Sequence, residues 1–135
     1  MPDPDIASRY RGYLDCLNRR DWDALGGFVA ATASHNGRPL GLSGYRRMLE
    51  EDCEAIPDLR FAVALMVVEP PTVACRLAFD CTPRGAFLGV PVNGRRVRFT
   101  EHVFYRFGDG LIQEVWSLID KAAVEAQLEA QPSGG

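Results

Sequence analysis

The sequence predicts an α+β domain, with N-terminal helices packed on one face of a curved antiparallel sheet. Three observations lead there. Apolar residues recur at helical spacing as far as Pro57, and they alternate with period two from Leu59 to Ile119. Gly- and Pro-bearing turns then cut the second stretch into hairpin-length pieces. Residues 1–130 are expected to form one domain and 131–135 a disordered tail. The length of 135 residues suits a single domain, and a composition of 47% hydrophobic and 24% charged residues is that of a globular protein.

The first helix is expected over Asp5 to Leu17, with Ile6, Tyr10, Tyr13, Leu14 and Leu17 facing inward. A shorter helix capped by Asp21 carries Trp22, Leu25, Phe28 and Val29. Thr32 to Gly44 reads as irregular. A third helix, capped by Ser43, presents Tyr45, Met48, Leu49, Cys53 and Ile56 on one face and stops at Pro57. Leu59 to Val67 forms a strand, Glu69-Pro70-Pro71-Thr72 a turn, and Val73 to Cys81 the answering strand. Asn93-Gly94 marks a turn whose residues take positive φ. A long strand from Arg95 to Phe107, the Gly108-Asp109-Gly110 turn and a strand from Leu111 to Ile119 follow. Asp120 opens a last helix over Lys121 to Ala130.

A net charge of −3 supplies no basic field for nucleic acid or an anionic membrane surface, and no apolar run reaches the length of a membrane span. The opening segment, Met1 to Tyr10, is acidic and Pro-bearing, unlike a signal peptide, so a soluble, cytoplasmic protein is expected. Cys16, Cys53, Cys75 and Cys81 lack the spacing of a zinc site and read as buried thiols. Neither metal nor cofactor is expected, because no ligand cluster and no Gly-rich nucleotide turn is present.

Period-two alternation sorts the strands into two faces. One collects Leu59, Phe61, Val63, Leu65, Val73, Cys75, Leu77, Phe79, Val97, Phe99, Val103, Tyr105, Val115 and Ile119, and Glu101 and Ser117 fall among them. The other holds Arg60, Arg76, Asp80, Arg98, His102, Phe104, Glu114 and Trp116. A lone carboxylate on an apolar, helix-covered face either loses several kcal/mol or raises its pKa. Glu101 is therefore the leading catalytic candidate, set against an ion-paired Glu or one rotated outward by a bulge.

The run Thr82-Pro83-Arg84-Gly85-Ala86-Phe87-Leu88-Gly89-Val90-Pro91 resembles the T-H-x-G-x-F-x-G-x-P segment of the SnoaL-like polyketide cyclases, or ester cyclases. Gly94-Arg95-Arg96-Val97, Tyr105-Arg106-Phe107, Asp109-Gly110-Leu111-Ile112, Glu114-Val115-Trp116 and the span from Asp120 to Gln127-Leu128 follow in the family's order. Upstream, His35-Asn36-Gly37 and Pro57-Asp58-Leu59-Arg60-Phe61 match as well. The resemblance places the chain within the ketosteroid isomerase and scytalone dehydratase superfamily. It implies a cone-shaped sheet with the helices on its concave face, in the cystatin-like or nuclear transport factor-like manner. It also implies aldol-type ring closure without metal or cofactor, by an Asp after the Trp of E-H-W-D and a His on the preceding strand. Residue by residue, that Asp falls on Ser117 and the His on Val103, while the His of T-H-x-G falls on Pro83.

His35, in a loop that the resembled fold passes by the cone's mouth, is the second candidate acid or base. Asn36 is a candidate amide donor to a carbonyl, although Asn-Gly also favours a tight turn. Ser117 either holds a substrate oxygen or simply makes room. Tyr45 and Tyr105 carry hydroxyls that a cavity could use, and Phe99 and Val103 complete the expected substrate wall. His102, Phe104 and Trp116, on the opposite face, are expected to form a homodimer interface, since aromatics left without a second helical layer need covering. The functional expectation is acid/base chemistry (cyclisation, isomerisation or dehydration) on a small, largely apolar carbonyl compound. The alternative is a non-catalytic binding or dimerisation module of the same fold.

Overall fold

Asp5 opens the described chain, residues 5–130 of a computed structural model, as the N-cap of helix α1 (Ile6–Asn18). Its carboxylate accepts from the amides of Ala7 and Ser8, two of the orphan donors of a first helical turn. A short 3-10 helix (Trp22–Gly27) leads into strand β1 (Val29–His35), followed by α2 (Gly41–Ala55), β2 (Ala62–Glu69) and β3 (Thr72–Cys81). A small hairpin of β4 (Ala86–Phe87) and β5 (Val90–Pro91) precedes β6 (Val97–Gly108), β7 (Leu111–Ile119) and α3 (Lys121–Ala130). The tail assignment, residues 131–135, lies outside the described residues.

The sheet is curved, open and five-stranded, in the order β1-β7-β6-β3-β2. It is mixed rather than antiparallel throughout, because β1 pairs in parallel with β7, His35 lying opposite Val115. This strand replaces the expected end of the second helix and the first four residues, Thr32 to His35, of the expected irregular stretch. Its sequence, Val-Ala-Ala-Thr-Ala-Ser-His, is short of branched and aromatic residues and shows no clean alternation. Pairing with a strand some eighty positions away, not local preference, makes it a strand. Helix α2 also begins earlier than expected, at Gly41, whose φ of +67° lets the chain turn into the helix; Ser43 lies inside its first turn rather than capping it.

On the concave side, α1 buries Ile6, Tyr10, Tyr13, Leu14 and Leu17, and α2 buries Tyr45 and Leu49, against Leu77, Val103, Tyr105 and Val115 of the sheet. Cys16, Cys75 and Cys81 are buried free thiols, and Cys53 is half-buried. Asn18, at the end of α1, donates to the Phe61 carbonyl at 3.0 Å and accepts from the Phe61 amide at 2.7 Å, imitating a strand partner just ahead of β2. Among the described residues no helix is long and apolar enough to cross a membrane.

The expected face of β2 is corrected in part. Val63 lies opposite Leu77 but Leu65 lies opposite Arg76, so Ala64 is an extra residue and the strand changes face there. Leu65 and Val63, expected inward, are 60% and 37% exposed, Val67 is 56% exposed, and Met66 and Val68 turn toward the core. The convex face consequently carries two cross-strand rows, Leu65–Arg76–His102–Leu118 and Val67–Ala74–Phe104–Trp116. Polar rows flank them: Asp80 with Arg98 at one end, and Arg106 with Glu114 at the other.

Replacing Asn18 with Ala strands the amide and carbonyl of Phe61 in a partly buried place. It should lower unfolding free energy by about 1–3 kcal/mol in urea titrations, with the m-value unchanged.

Candidate active site

Six elements, α1, β1, α2, β3, β6 and β7, converge on one cavity of about 220 Å³ between the two helices and the concave sheet face. Glu101, Val103 and Tyr105 reach it from alternate positions of β6, and Val115, Ser117 and Ile119 from alternate positions of β7. Val103 sits opposite Ser117 and Glu101 opposite Ile119, so Glu101 and Ser117 are diagonal neighbours across the ladder. The remaining wall is largely apolar, including Leu17, Leu49, Phe61 and Leu77.

His35 enters from the end of β1, and the type of turn after it explains its position. Asn36 and Gly37 take φ of +49° and +80°, and the amide of Arg38 donates back to the His35 carbonyl at 3.0 Å while His35 donates to Arg38 at 2.9 Å. That tight turn, the one Asn-Gly favours, ends the strand with the imidazole beside β7. The Asn36 side chain locks the join: it accepts from the Ser117 amide at 2.8 Å and donates to the Ser117 carbonyl at 3.2 Å. Asn36 is therefore exposed and engaged with backbone, and it does not line the cavity as expected.

Ser117 Oγ lies 3.1 Å from His35 Nε2, and its hydroxyl also stabilises the Glu101 carboxylate. Ser117 thus stands between His35, to which it is hydrogen-bonded, and the Glu101 carboxyl, whose charge it favours. Desolvation dominates the Glu101 carboxyl and moves its pKa from 4.5 to about 7; Ser117 opposes the shift and the Asp52 charge adds to it. His35 is shifted the other way, below 6.5, by burial and then by the Arg38 charge, so its imidazole is neutral at pH 7. With Glu101 ionised, Ser117 donates to the carboxylate and His35 Nε2–H donates to Ser117. This leaves Nδ1, the buried His35 atom that has no protein partner, as a lone pair rather than an unsatisfied donor.

The opposite side of the cavity is built from tyrosines. Tyr13 and Tyr45 are 2.7 Å apart at their hydroxyls, and Tyr10 Oη donates to Tyr105 Oη at 3.3 Å. Burial raises the pKa of all four, so they remain neutral phenols. A pair of hydroxyls has two protons and uses one between its oxygens, leaving the other for a further acceptor. Tyr45, Tyr105, Val103 and Ser117 line the cavity as the sequence suggests. Phe99 does not: its ring stacks on Phe79 at 5.1 Å and meets Phe87 at 5.0 Å, in an aromatic cluster outside the cavity wall.

Two polar lining residues, Tyr13 and Asp52, were not among the site candidates. Tyr13 follows Tyr10 by three positions on the buried face of α1, and a pair of buried phenols on one helix face calls for hydroxyl partners elsewhere. Asp52 follows Tyr45, Met48 and Leu49 at helical spacing, which puts a carboxylate on the inward stripe of α2. It is exposed along one side, and desolvation followed by the Glu51 charge raises its pKa to about 6. Among the described residues no group of three His, Cys, Asp or Glu side chains is arranged to hold a metal ion.

Comparison with known proteins bears on this arrangement. The family model of the SnoaL-like polyketide cyclases matches residues 7–128. A SnoaL-like polyketide cyclase from Agrobacterium tumefaciens is 52% identical over 95% of this chain and 99% of its own, with a TM-score of 0.91. IdmH of Streptomyces antibioticus, a candidate polyketide cyclase, is 25% identical over 93% of this chain and 99% of its own, with a TM-score of 0.80. AclR of Streptomyces galilaeus, a candidate hydroxylase, is 22% identical over 97% of this chain and 100% of its own; its TM-score of 0.75 speaks to fold alone. No curated protein matches the chain. A model match across nearly the whole domain, with a structure sharing half its residues, makes this chain a member of the SnoaL-like polyketide cyclase family.

Proposed function

We propose that this protein is a cofactor-independent enzyme that moves a proton at a carbon next to a carbonyl group, in a cyclisation, isomerisation or dehydration, with Glu101 as the acid/base. The observation that carries this is a carboxyl in a largely apolar cavity with its pKa near 7, where a group both takes and returns a proton at working pH. The ionised carboxylate removes the proton from the α-carbon. Negative charge then grows on the carbonyl oxygen, and the spare tyrosine hydroxyl proton of the Tyr13–Tyr45 pair is the donor available to it. As Glu101 becomes protonated, the proton resides on the oxygen that faces the substrate, and the other carboxyl oxygen still accepts from Ser117, so His35 keeps its Nε2–H and Nδ1 stays a lone pair. His35 and Ser117 thereby orient the carboxyl rather than relay net charge.

A second reading, a binding module without turnover, is favoured by one observation. The positions of the family's ionisable residues hold Ser117, Val103 and Pro83 here. Isotope exchange separates the two readings. With a bound ketone in D₂O, the wild-type protein should exchange α-protons, and Glu101→Gln should lower the rate by at least a hundredfold. Ser117→Ala should lower it by about tenfold, as expected of a positioning residue that costs about one factor of 1.4 kcal/mol. Equal exchange by the wild type and Glu101→Gln, read by NMR, would establish the binding module.

The carboxyl pKa has a consequence for stability. Because its folded value of about 7 lies above the ordinary 4.5, the protonated form favours the folded state. That contribution is intact below pH 4.5 and is lost as pH rises through 7, an effect on the order of 3 kcal/mol. Glu101→Gln should therefore melt higher than wild type at pH 8 and close to it at pH 4.5. Carboxyl NMR should place the wild-type titration near 7, and a midpoint near 4.5 would refute the assignment.

We further propose a homodimer through the convex face. Leu65, Val67, Phe104, Trp116 and Leu118, on β2, β6 and β7, are 43–73% exposed and joined across β3 by Ala74, a patch of the kind that marks an interface. Light scattering at micromolar concentration should give twice the chain mass, and Phe104→Glu should give the single-chain mass with the fold preserved by circular dichroism.

A further inference from the structure

We infer that the cavity selects a compact, uncharged carbonyl compound built on a single ring, and excludes multi-ring substrates and anions. The inference rests on the acid/base reading above and adds the substrate class. Size is the first constraint. An apolar cavity of about 150 Å³ accepts benzene, and this one, at about 220 Å³, is about one and a half times as large. One six-membered ring with a carbonyl and a short substituent fills that space. It falls below the range of roughly 300–1,000 Å³ typical of sites for drug-sized ligands.

The wall is also poorly placed to give way. Tyr13, Tyr45 and Tyr105 are buried to within 3% and tied through their hydroxyls or ring contacts to one another and to Tyr10. Moving one of them to admit a second ring would leave buried phenol oxygens without partners.

Charge is the second constraint. No Lys or Arg lines the cavity, whereas Glu101 and Asp52 both do. A substrate carboxylate or phosphate would meet two carboxyls and no cation, and its desolvation would go uncompensated. The polar groups that are present, tyrosine and serine hydroxyls and an imidazole, match a neutral carbonyl oxygen. A ring bearing a ketone or enone meets both constraints.

Calorimetric titration of the full chain at pH 6 tests this with four probes: cyclohex-2-enone, acetophenone, the tetracyclic ketone estrone, and cyclohexanecarboxylate. At least one single-ring ketone should bind, at least tenfold more tightly than estrone and than the carboxylate. Glu101→Gln, which keeps the shape, should preserve the ranking. The inference is overturned if estrone binds as tightly as the single-ring ketones, if the carboxylate does, or if neither single-ring ketone binds at its solubility limit. Exchange of acetophenone methyl protons in D₂O reads the acid/base step separately. Size-ranked binding without exchange would retain the substrate class and discard the catalytic reading, whereas exchange of estrone's α-protons with equal binding would do the reverse.

Discussion

A single layer of helices covering one face of a curved sheet is the constraint from which the rest follows. Helices α1 and α2 cover the concave face, and the apolar core they share with the sheet is interrupted by a cavity beside Glu101. The convex face receives no helices over its centre. Its exposed apolar side chains, Leu65, Val67, Phe104, Trp116 and Leu118, are left uncovered, with ion-paired Asp80 and Arg106 at the margins. One architecture therefore produces a concave site and an uncovered surface on opposite sides of the same strands, with adjacent residues such as Glu101 and His102 assigned to each.

Within the cavity, the polar groups are connected in ways that limit their cost. Four buried phenols would each be unfavourable alone; paired as Tyr13–Tyr45 and Tyr10–Tyr105, each oxygen has a partner. Glu101 is treated differently. It has no ion-pair partner among the described residues, and one hydroxyl does not offset its desolvation, so its pKa rises instead. A stabilising Arg beside it would restore an ordinary carboxylate and remove the property that suits it to proton transfer. The same carboxyl is thus both a local instability of the fold and the centre of the proposed chemistry.

Much of this was legible in sequence. Helix α3 and strand β7 have the boundaries that spacing predicts, Asn36-Gly37 is the turn its residues favour, and alternation alone puts Glu101, Val103, Tyr105 and Ser117 on one face. Those features depend on neighbours within a few residues, where period and turn chemistry operate. Strand β1 and the Ala64 bulge were not legible. The first has a partner far along the chain and an alanine-rich sequence without preference of its own, and the second changes face by one inserted residue that composition does not mark.

The sequence by itself determined the fold class, the family and the presence of a carboxylate on a buried apolar face. Only the tertiary structure decided what surrounds that carboxylate. It is the parallel join of β1 to β7, clamped by Asn36, that delivers His35 to Ser117; it is the placement of α1 and α2 on the same concave face that pairs Tyr13 with Tyr45 and brings Asp52 to the rim. Periodicity assigns a side chain to a face, but distance between side chains on different elements depends on how those elements pack, and that is a property of the whole domain.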